Sequence, residues 1–372
     1  MQHIPLVDLK AQYHSIKAEI DEAMAHVMAN TAFIMGKAVT DFENAFAQYA
    51  HAKHAIGVAN GTEALMLAYQ VAGLKHGDEV ITTPHTFIAS VSTLAHVGIK
   101  PVFVDIDPIT YNIDPNLIEA AITPKTKAIV PVHLYGQPAN MDEIARIAQK
   151  HGLLIIEDAA QAHGAEWNGK RVGSWGAMTG FSFYPGKNLG AAGDAGGIIT
   201  NDDNYAKALR LLINHGSENK YTHQVLGYNA RMDGLQGAVL GVKMNYIEQW
   251  TEQRRANAEY YDELLSSVSD IITPKADPRA RHVYHLYVIR VPRQRDALLK
   301  HLQANNIGAG IHYPLPLHLQ PAFAHLGYQM GDFPITESLA ESIISLPLYP
   351  ELTHAQMETV VDVVKDALNS VG

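Results

Sequence analysis

What most constrains this chain is a series of short apolar runs without polar alternation, separated by segments of helical period. Residues 79–82, 101–105, 128–132 and 152–158 are such runs. A strand with one wet face alternates apolar and polar side chains. A run that is apolar throughout suits a strand covered on both faces. Residues 63–72, 88–96 and 141–150 carry helical patterns between these runs. This alternation predicts an α/β fold with a mainly parallel sheet between helices. Residues 55–59, 181–183 and 197–200 read as further strands.

At 372 residues the chain is too long for one ordinary compact domain and suits a large domain with a smaller one. From residue 236 to about 266 the pattern is helical and long. A strand at 285–291, a helix at 295–304, a Pro/His-rich loop at 312–321 and a last helix at 355–369 follow. No Gly/Ser linker marks a junction. The boundary is therefore expected near 245–250, within a helix, dividing residues 1–247 from 248–372.

Composition closes off several classes of protein. Hydrophobic residues at 47% and charged residues at 18% fit a globular chain. A net charge of −10 with dispersed positive residues argues against a nucleic-acid partner. No apolar run approaches the roughly 20 residues of a membrane span. The first ten residues lack the basic stretch and apolar core of a signal peptide, so a cytoplasmic protein is expected. With no cysteine, disulfides, thiolate zinc sites and cysteine nucleophiles are excluded.

Three constellations carry chemistry. In Ser182-Phe183-Tyr184-Pro185-Gly186-Lys187-Asn188-Leu189-Gly190, a lysine follows a buried strand in a Pro-Gly turn. A lysine held there can lose its proton by burial and attack an aldehyde; a solvated lysine is the alternative. In Glu157-Asp158-Ala159-Ala160-Gln161, a carboxylate ends the strongest strand, where open α/β sheets bind ligands. It can pair with a protonated pyridine nitrogen, or cap a helix. Adjacent carboxylates on a strand face opposite ways, so Glu157 and Asp158 are not a glycosidase pair. In Asn60-Gly61-Thr62-Glu63, a helix opens after a strand and offers free N–H groups to an anion such as a phosphate. Asn and Thr also start helices that bind nothing.

Other features carry less. Gly190, Gly193, Gly196 and Gly197 do not have the G-x-G-x-x-G spacing and precede a strand instead of opening a helix, so NAD binding is rejected. The run is expected to let the backbone pass close to a ligand or a second subunit. The close pairs His282/His285 and His312/His318 lack a partner at metal-site spacing, so no metal is expected. The prolines of His312-Tyr313-Pro314-Leu315-Pro316-Leu317-His318 stiffen that loop, either to present its His and Tyr or simply as a rigid turn.

Taken together, these blocks resemble the DegT family, the nucleotide-sugar aminotransferases of pyridoxal-phosphate (PLP) fold type I. The likeness runs from Pro5-Leu6-Val7-Asp8-Leu9 to Leu346-Pro347-Leu348. It implies a large domain with a mainly parallel seven-stranded sheet and a smaller C-terminal α+β domain. It implies that Lys187 forms the Schiff base with pyridoxal 5′-phosphate and moves the proton. Asp158 pairs with the pyridine nitrogen, Gln161 lies near the ring hydroxyl and Phe87 stacks on the ring. Gly61, Thr62, Glu63 and Ser182 belong to the cofactor site, with Asn229 reaching in from the second subunit of a homodimer. Tyr184, Lys220, Tyr221, Arg231, His312, Tyr313 and His318 fall on the substrate side.

Family members acting at the sugar 4-position often carry Gly-Glu-Gly-Gly after the lysine. Gly193-Asp194-Ala195-Gly196-Gly197 stands here, after Tyr184-Pro185-Gly186-Lys187. That pattern resembles the enzymes that aminate dTDP-linked 3-keto-6-deoxy sugars. Enzymes for UDP-linked 3-keto uronates, with Phe-Pro-Ser before the lysine, come second. Dehydratase relatives have histidine in place of Lys187. The expected reaction is ping-pong transamination from L-glutamate to the keto sugar. A PLP-binding protein without turnover is one rival. An aminotransferase for amino acids alone is another; it would hold a carboxylate with an arginine such as Arg279, Arg281, Arg290, Arg293 or Arg295.

Overall fold

The computed structural model describes residues 3–219 and 221–369. Seven strands form the main sheet: β1 (His54–Val58), β2 (Glu79–Thr82), β3 (Lys100–Phe103), β4 (Thr126–Ile129), β5 (Leu154–Asp158), β6 (Met178–Ser182) and β7 (Gly196–Thr200). Their order is β1-β7-β6-β5-β4-β2-β3. Strand β7 runs antiparallel to both its neighbours, and the other pairs are parallel. The expected α/β sheet of fold type I is therefore present.

The unalternating sequence of these strands has a direct cause. Every residue of β2 and β7 is buried, because helices cover both faces. Leu65, Leu67 and Ala68 of helix Gly61–Val71 pack with Ile156 and Ile198. Phe42 and Phe46 of helix Lys37–Tyr49 pack with Phe181 and Phe183. Phe46 meets both of those rings edge-on, with centroids 5.0 and 5.1 Å away. Burying each such ring stabilises the fold by about 2–3 kcal/mol.

A second core lies C-terminal. Strands β8 (Tyr287–Arg290) and β9 (Ile343–Leu346) pair antiparallel. Around them, Tyr261, Leu298, Leu302, Val360 and Val364 form one cluster, which Ile4 joins from the N-terminal segment. The helical stretch from residue 236 is not one helix. It is Gly234–Lys243 and Ile247–Leu265, broken at residues 244–246. The first packs on helix Lys37–Tyr49 and the second on the C-terminal cluster. One straight rod could not serve both. Helices Lys17–Ala29, Asp203–Leu212 and Pro334–Ser342 were not foreseen. Among the described residues, no helix is long and apolar enough to cross a membrane.

Candidate active site

The carboxyl ends of β1, β5 and β6 open on a cavity of about 610 Å³ lined by Gly61, Thr62, Asp158, Ser182 and Lys187. Ligands collect there in open α/β sheets because strand ends leave backbone groups and loops converging on one crevice. All three chemical constellations of the sequence therefore meet in one place.

Asp158 ends β5 and is followed by turns, so it caps no helix. Its Oδ2 accepts from the Ser90 hydroxyl at 2.6 Å, and its Oδ1 from the Ala160 N–H at 3.1 Å. Glu157 points to the opposite face and is fully enclosed. It accepts from His133 Nε2 at 3.1 Å, from the N–H groups of Gly173, Trp175 and Gly176, and from Thr179 Oγ1. Burial alone would push the Glu157 carboxyl up. Donation from His133, Gly173 and Gly176 outweighs it and holds the group below its ordinary value.

Lys187 sits in a tight turn, its N–H donating to the Tyr184 carbonyl at 2.8 Å. Asn188 anchors that turn by donating from Nδ2 to the Val283 carbonyl at 3.0 Å. Burial pulls the Lys187 amine down to about 8, against the opposing field of Asp158. At pH 7 about a tenth of the amine is then neutral, against a few in ten thousand for a free lysine. His285 also lines the cavity. It meets Asn188 Oδ1 through Nδ1 at 3.1 Å, and burial beside Lys187 holds its pKa well below normal. His163 donates to the Ser182 carbonyl at 2.9 Å, and burial lowers it to about 3.

At the other end, Asn60 caps helix Gly61–Val71 by accepting from the Glu63 N–H at 2.8 Å. The N–H groups of Gly61 and Thr62 have no partner within the helix. A Cβ at Gly61 would lie 2.6 Å from the Ser182 Cβ, so only glycine allows the hydroxyl so close to the helix start. Glu63 is outside the cavity lining; its Oε2 is buried without a partner among the described residues.

His312 and Tyr313 also line the cavity. Ser345 holds His312 Nδ1 at 2.8 Å, and Gln161 donates to the Tyr313 hydroxyl at 3.2 Å. Phe87 faces Tyr313, with ring centroids 5.7 Å apart, and Tyr184 borders the same space. His318 does not reach the cavity. It is buried against Phe333 with Nε2 2.9 Å from Glu337 Oε1, so its place on the substrate side is corrected to a structural one.

Asn229 and Arg231 are also outside the cavity formed by one chain, where Arg231 donates to Asn214 Oδ1 at 3.0 Å. Tyr221 lies exposed between two short paired strands. Lys220 lies outside the described residues. At its tightest points the glycine run makes room for the chain's own backbone. A Cβ at Gly190 would strike the Pro185 carbonyl at 2.2 Å, and one at Gly196 the Asn60 carbonyl carbon at 2.4 Å. The chain's own backbone takes up that room.

Sequence reasoning missed Thr86, Ser90 and His285. Thr86 is adjacent to Phe87, and His285, one of a close histidine pair, gives no sign in the sequence that it lines a cavity.

The site suits pyridoxal phosphate on its donor set alone. A helix start with a serine hydroxyl receives a phosphate dianion, a depressed lysine amine meets an aldehyde, and a carboxylate meets a pyridinium. Fold and site together define a pyridoxal-phosphate-dependent aminotransferase of fold type I. The chain belongs to the DegT/DnrJ/EryC1/StrS aminotransferase family, whose sequence profile matches residues 14–365.

It is 51% identical to the pleiotropic regulatory protein of Geobacillus stearothermophilus, covering 98% of each chain. It is 43% identical to the dTDP-3-amino-3,4,6-trideoxy-alpha-D-glucose transaminase of Streptomyces venezuelae, covering 98% of this chain and 96% of that one. Identity to the UDP-N-acetyl-3-dehydro-alpha-D-glucosamine 3-aminotransferase of Acidithiobacillus ferrooxidans is also 43%, over 98% of each. The crystal structure of DesV from S. venezuelae superposes with a TM-score of 0.96 at 43% identity, over 98% of each chain.

Proposed function

We propose that the enzyme moves the amino group of L-glutamate to the keto carbon, C3, of a dTDP-linked 3-keto-6-deoxyhexose in a ping-pong reaction. The observation that carries the sugar reading is the cavity's lining. Arg279, Arg281, Arg290, Arg293 and Arg295 are all absent from it, whereas His312 and Tyr313 face it. Arg281 is spent on Glu248 and Glu252, and Arg279 on Asp277. Imidazole and phenol suit the hydroxyl groups of a sugar; the carboxylates of L-glutamate, which binds in the same cavity, would be left to Arg231 of the second chain.

Bound pyridoxal phosphate supplies the electron sink. Gly61, Thr62 and Ser182 would hold its phosphate, Asp158 would pair with its ring nitrogen and Phe87 would cover the ring. Gln161, which accepts from the Tyr135 N–H at 2.7 Å and lines the cavity, would lie near the ring hydroxyl. Lys187 Nζ would act as the base that takes the proton from the glutamate carbon bearing the amino group and, as the conjugate acid, as the donor that gives it up on the cofactor side. In the second half-reaction Lys187 Nζ performs the same transfer in reverse on the sugar carbon.

In this reading residues 1–247 form the cofactor domain and 248–372 the smaller one. Two chains pair, with Asn229, Arg231 and the Lys220–Tyr221 stretch contributing to the partner's site. Exposed Phe33, Ile34, Tyr221 and Leu226 support that pairing, as apolar surface that a second chain would cover. The enzyme would work in the cytoplasm, beside its nucleotide-sugar supply. The A. ferrooxidans relative favours a second reading, a UDP-linked 3-keto sugar.

The test is incubation with L-glutamate and a panel of dTDP- and UDP-linked 3- and 4-keto sugars, with products identified by mass and NMR. A 3-amino dTDP sugar with matching 2-oxoglutarate is expected. Turnover with 4-keto sugars alone overturns the position, and no turnover with any sugar overturns the reading.

A further inference from the structure

Asp158 is the end of a directed chain of hydroxyl groups. Ser90 Oγ lies 2.6 Å from Asp158 Oδ2, and Thr86 Oγ1 lies 2.8 Å from Ser90 Oγ. Both residues are buried and both line the cavity. A carboxylate has no proton to give, so the single proton of Ser90 must point at Asp158. Ser90 can then only accept from Thr86, so the proton of Thr86 must point at Ser90. The order Thr86 → Ser90 → Asp158 is forced by the atoms present.

Ser90 is itself fixed. Its N–H donates to the Phe87 carbonyl at 3.2 Å, and its carbonyl accepts from the buried Tyr69 hydroxyl at 3.3 Å. With Ser90 on Oδ2 and the Ala160 N–H on Oδ1, each oxygen of Asp158 has one donor from the chain. The carboxylate cannot turn without breaking one of them. Its remaining lone pairs are left for a donor that enters the cavity. Lys187 feels the charge of Asp158. A carboxylate freed from Ser90 could swing to pair with that ammonium instead.

We propose that Ser90, backed by Thr86, is a positioning residue that holds Asp158 aimed at the ring nitrogen and so keeps that nitrogen protonated. The inference rests on the reading that Asp158 faces the pyridine nitrogen.

The experiment loads the full-length enzyme with pyridoxal phosphate labelled with nitrogen-15 in the ring, and reads the ring-nitrogen NMR shift. Cofactor affinity is measured by equilibrium dialysis. Wild type, D158N, S90A, S90C and S90T are compared. The wild type is expected at the protonated position, with D158N moved toward the unprotonated one. S90A and S90C should move the same way by a smaller amount, with cofactor affinity weakened about tenfold, the scale of one hydrogen bond to a charged group. S90T, which keeps the hydroxyl, should restore both readouts. Should S90A fail to fold, the near-isosteric S90C makes the same comparison. A shift unmoved in D158N defeats the underlying reading of Asp158. A shift moved in D158N but unmoved in S90A and S90C overturns the role of Ser90 alone.

Discussion

The two faces of strand β5 carry adjacent carboxylates with opposite fates. Glu157 looks into a closed region and takes five hydrogen bonds from protein donors, three of them from the turn at residues 173–176. Asp158 looks into the cavity and, among the described residues, takes two, from Ser90 and Ala160. A carboxylate saturated by its own chain has no capacity for a ligand and serves the fold. One left partly unsatisfied beside a cavity is poised for a donor from outside. One bond along the backbone thus separates architecture from chemistry.

The sharpest way to break this contrast is on the open side. K187A should lower kcat at least about 10⁴-fold, since it removes the group that moves the proton. The check is steady-state turnover with the productive sugar from the panel; a variant that still cycles many times would defeat the assignment. D158N should cost about 10³-fold in kcat, the scale of losing a preorganised charge at the reacting group, with the unfolding midpoint little changed.

On the closed side the effect should fall on stability. E157Q should lose about 2–4 kcal/mol in urea unfolding, because one buried oxygen becomes a donor facing donors. Its kcat should stay within about threefold of wild type if the faces are as separate as they look. The pH dependence follows in sign. The Glu157 pKa is depressed in the folded chain, so its contribution is complete above the unfolded value and is lost as pH falls toward the folded one. Unfolding measured from pH 7 down to pH 3 should therefore steepen in wild type and lose that part of its slope in E157Q.

The smallest effects concern the loop. H312A should raise KM for the sugar about tenfold, as expected for one hydrogen bond to a substrate hydroxyl. H318A should leave KM within about twofold and instead cost about 1–2 kcal/mol of stability, since it strips a buried donor from Glu337 and opens a void against Phe333. Equal rises in KM in both variants would show that the loop acts as one unit.

Much of the main sheet was legible because its buried strands are apolar along their whole length. The N-terminal helices were less so, for a physical reason. Helix Lys17–Ala29 buries only Ile20 and Val27. Helix Lys37–Tyr49 buries Glu43, which the Arg210 guanidinium and the Gly57 N–H satisfy from distant segments. Even so, Val39, Phe42, Phe46 and Ala47 keep helical spacing on one face, and only the source of the Glu43 partners lies beyond the sequence. Within the site, Lys187, Asp158, Gly61, Thr62 and Ser182 could be picked out by residue type and local context. Ser90 could not, because a serine in a helix has meaning only once a carboxylate from another strand lies beside it.

His312 and His318 mark the same division. Six residues apart in a proline-stiffened loop, they are equivalent as sequence. Ser345 of β9 holds one at the cavity, and Glu337 holds the other inside the protein.

By itself the sequence determined the repeating strand–helix order, the chemical kit and the fact that Glu157 and Asp158 face opposite ways, since all of these follow from local spacing along the backbone. Only the tertiary structure decided which of those faces is closed and which is open. That depends on where the turn at residues 173–176 and the segment around Thr86 and Ser90 come to rest, and packing between segments distant in the chain is not written in the period of either.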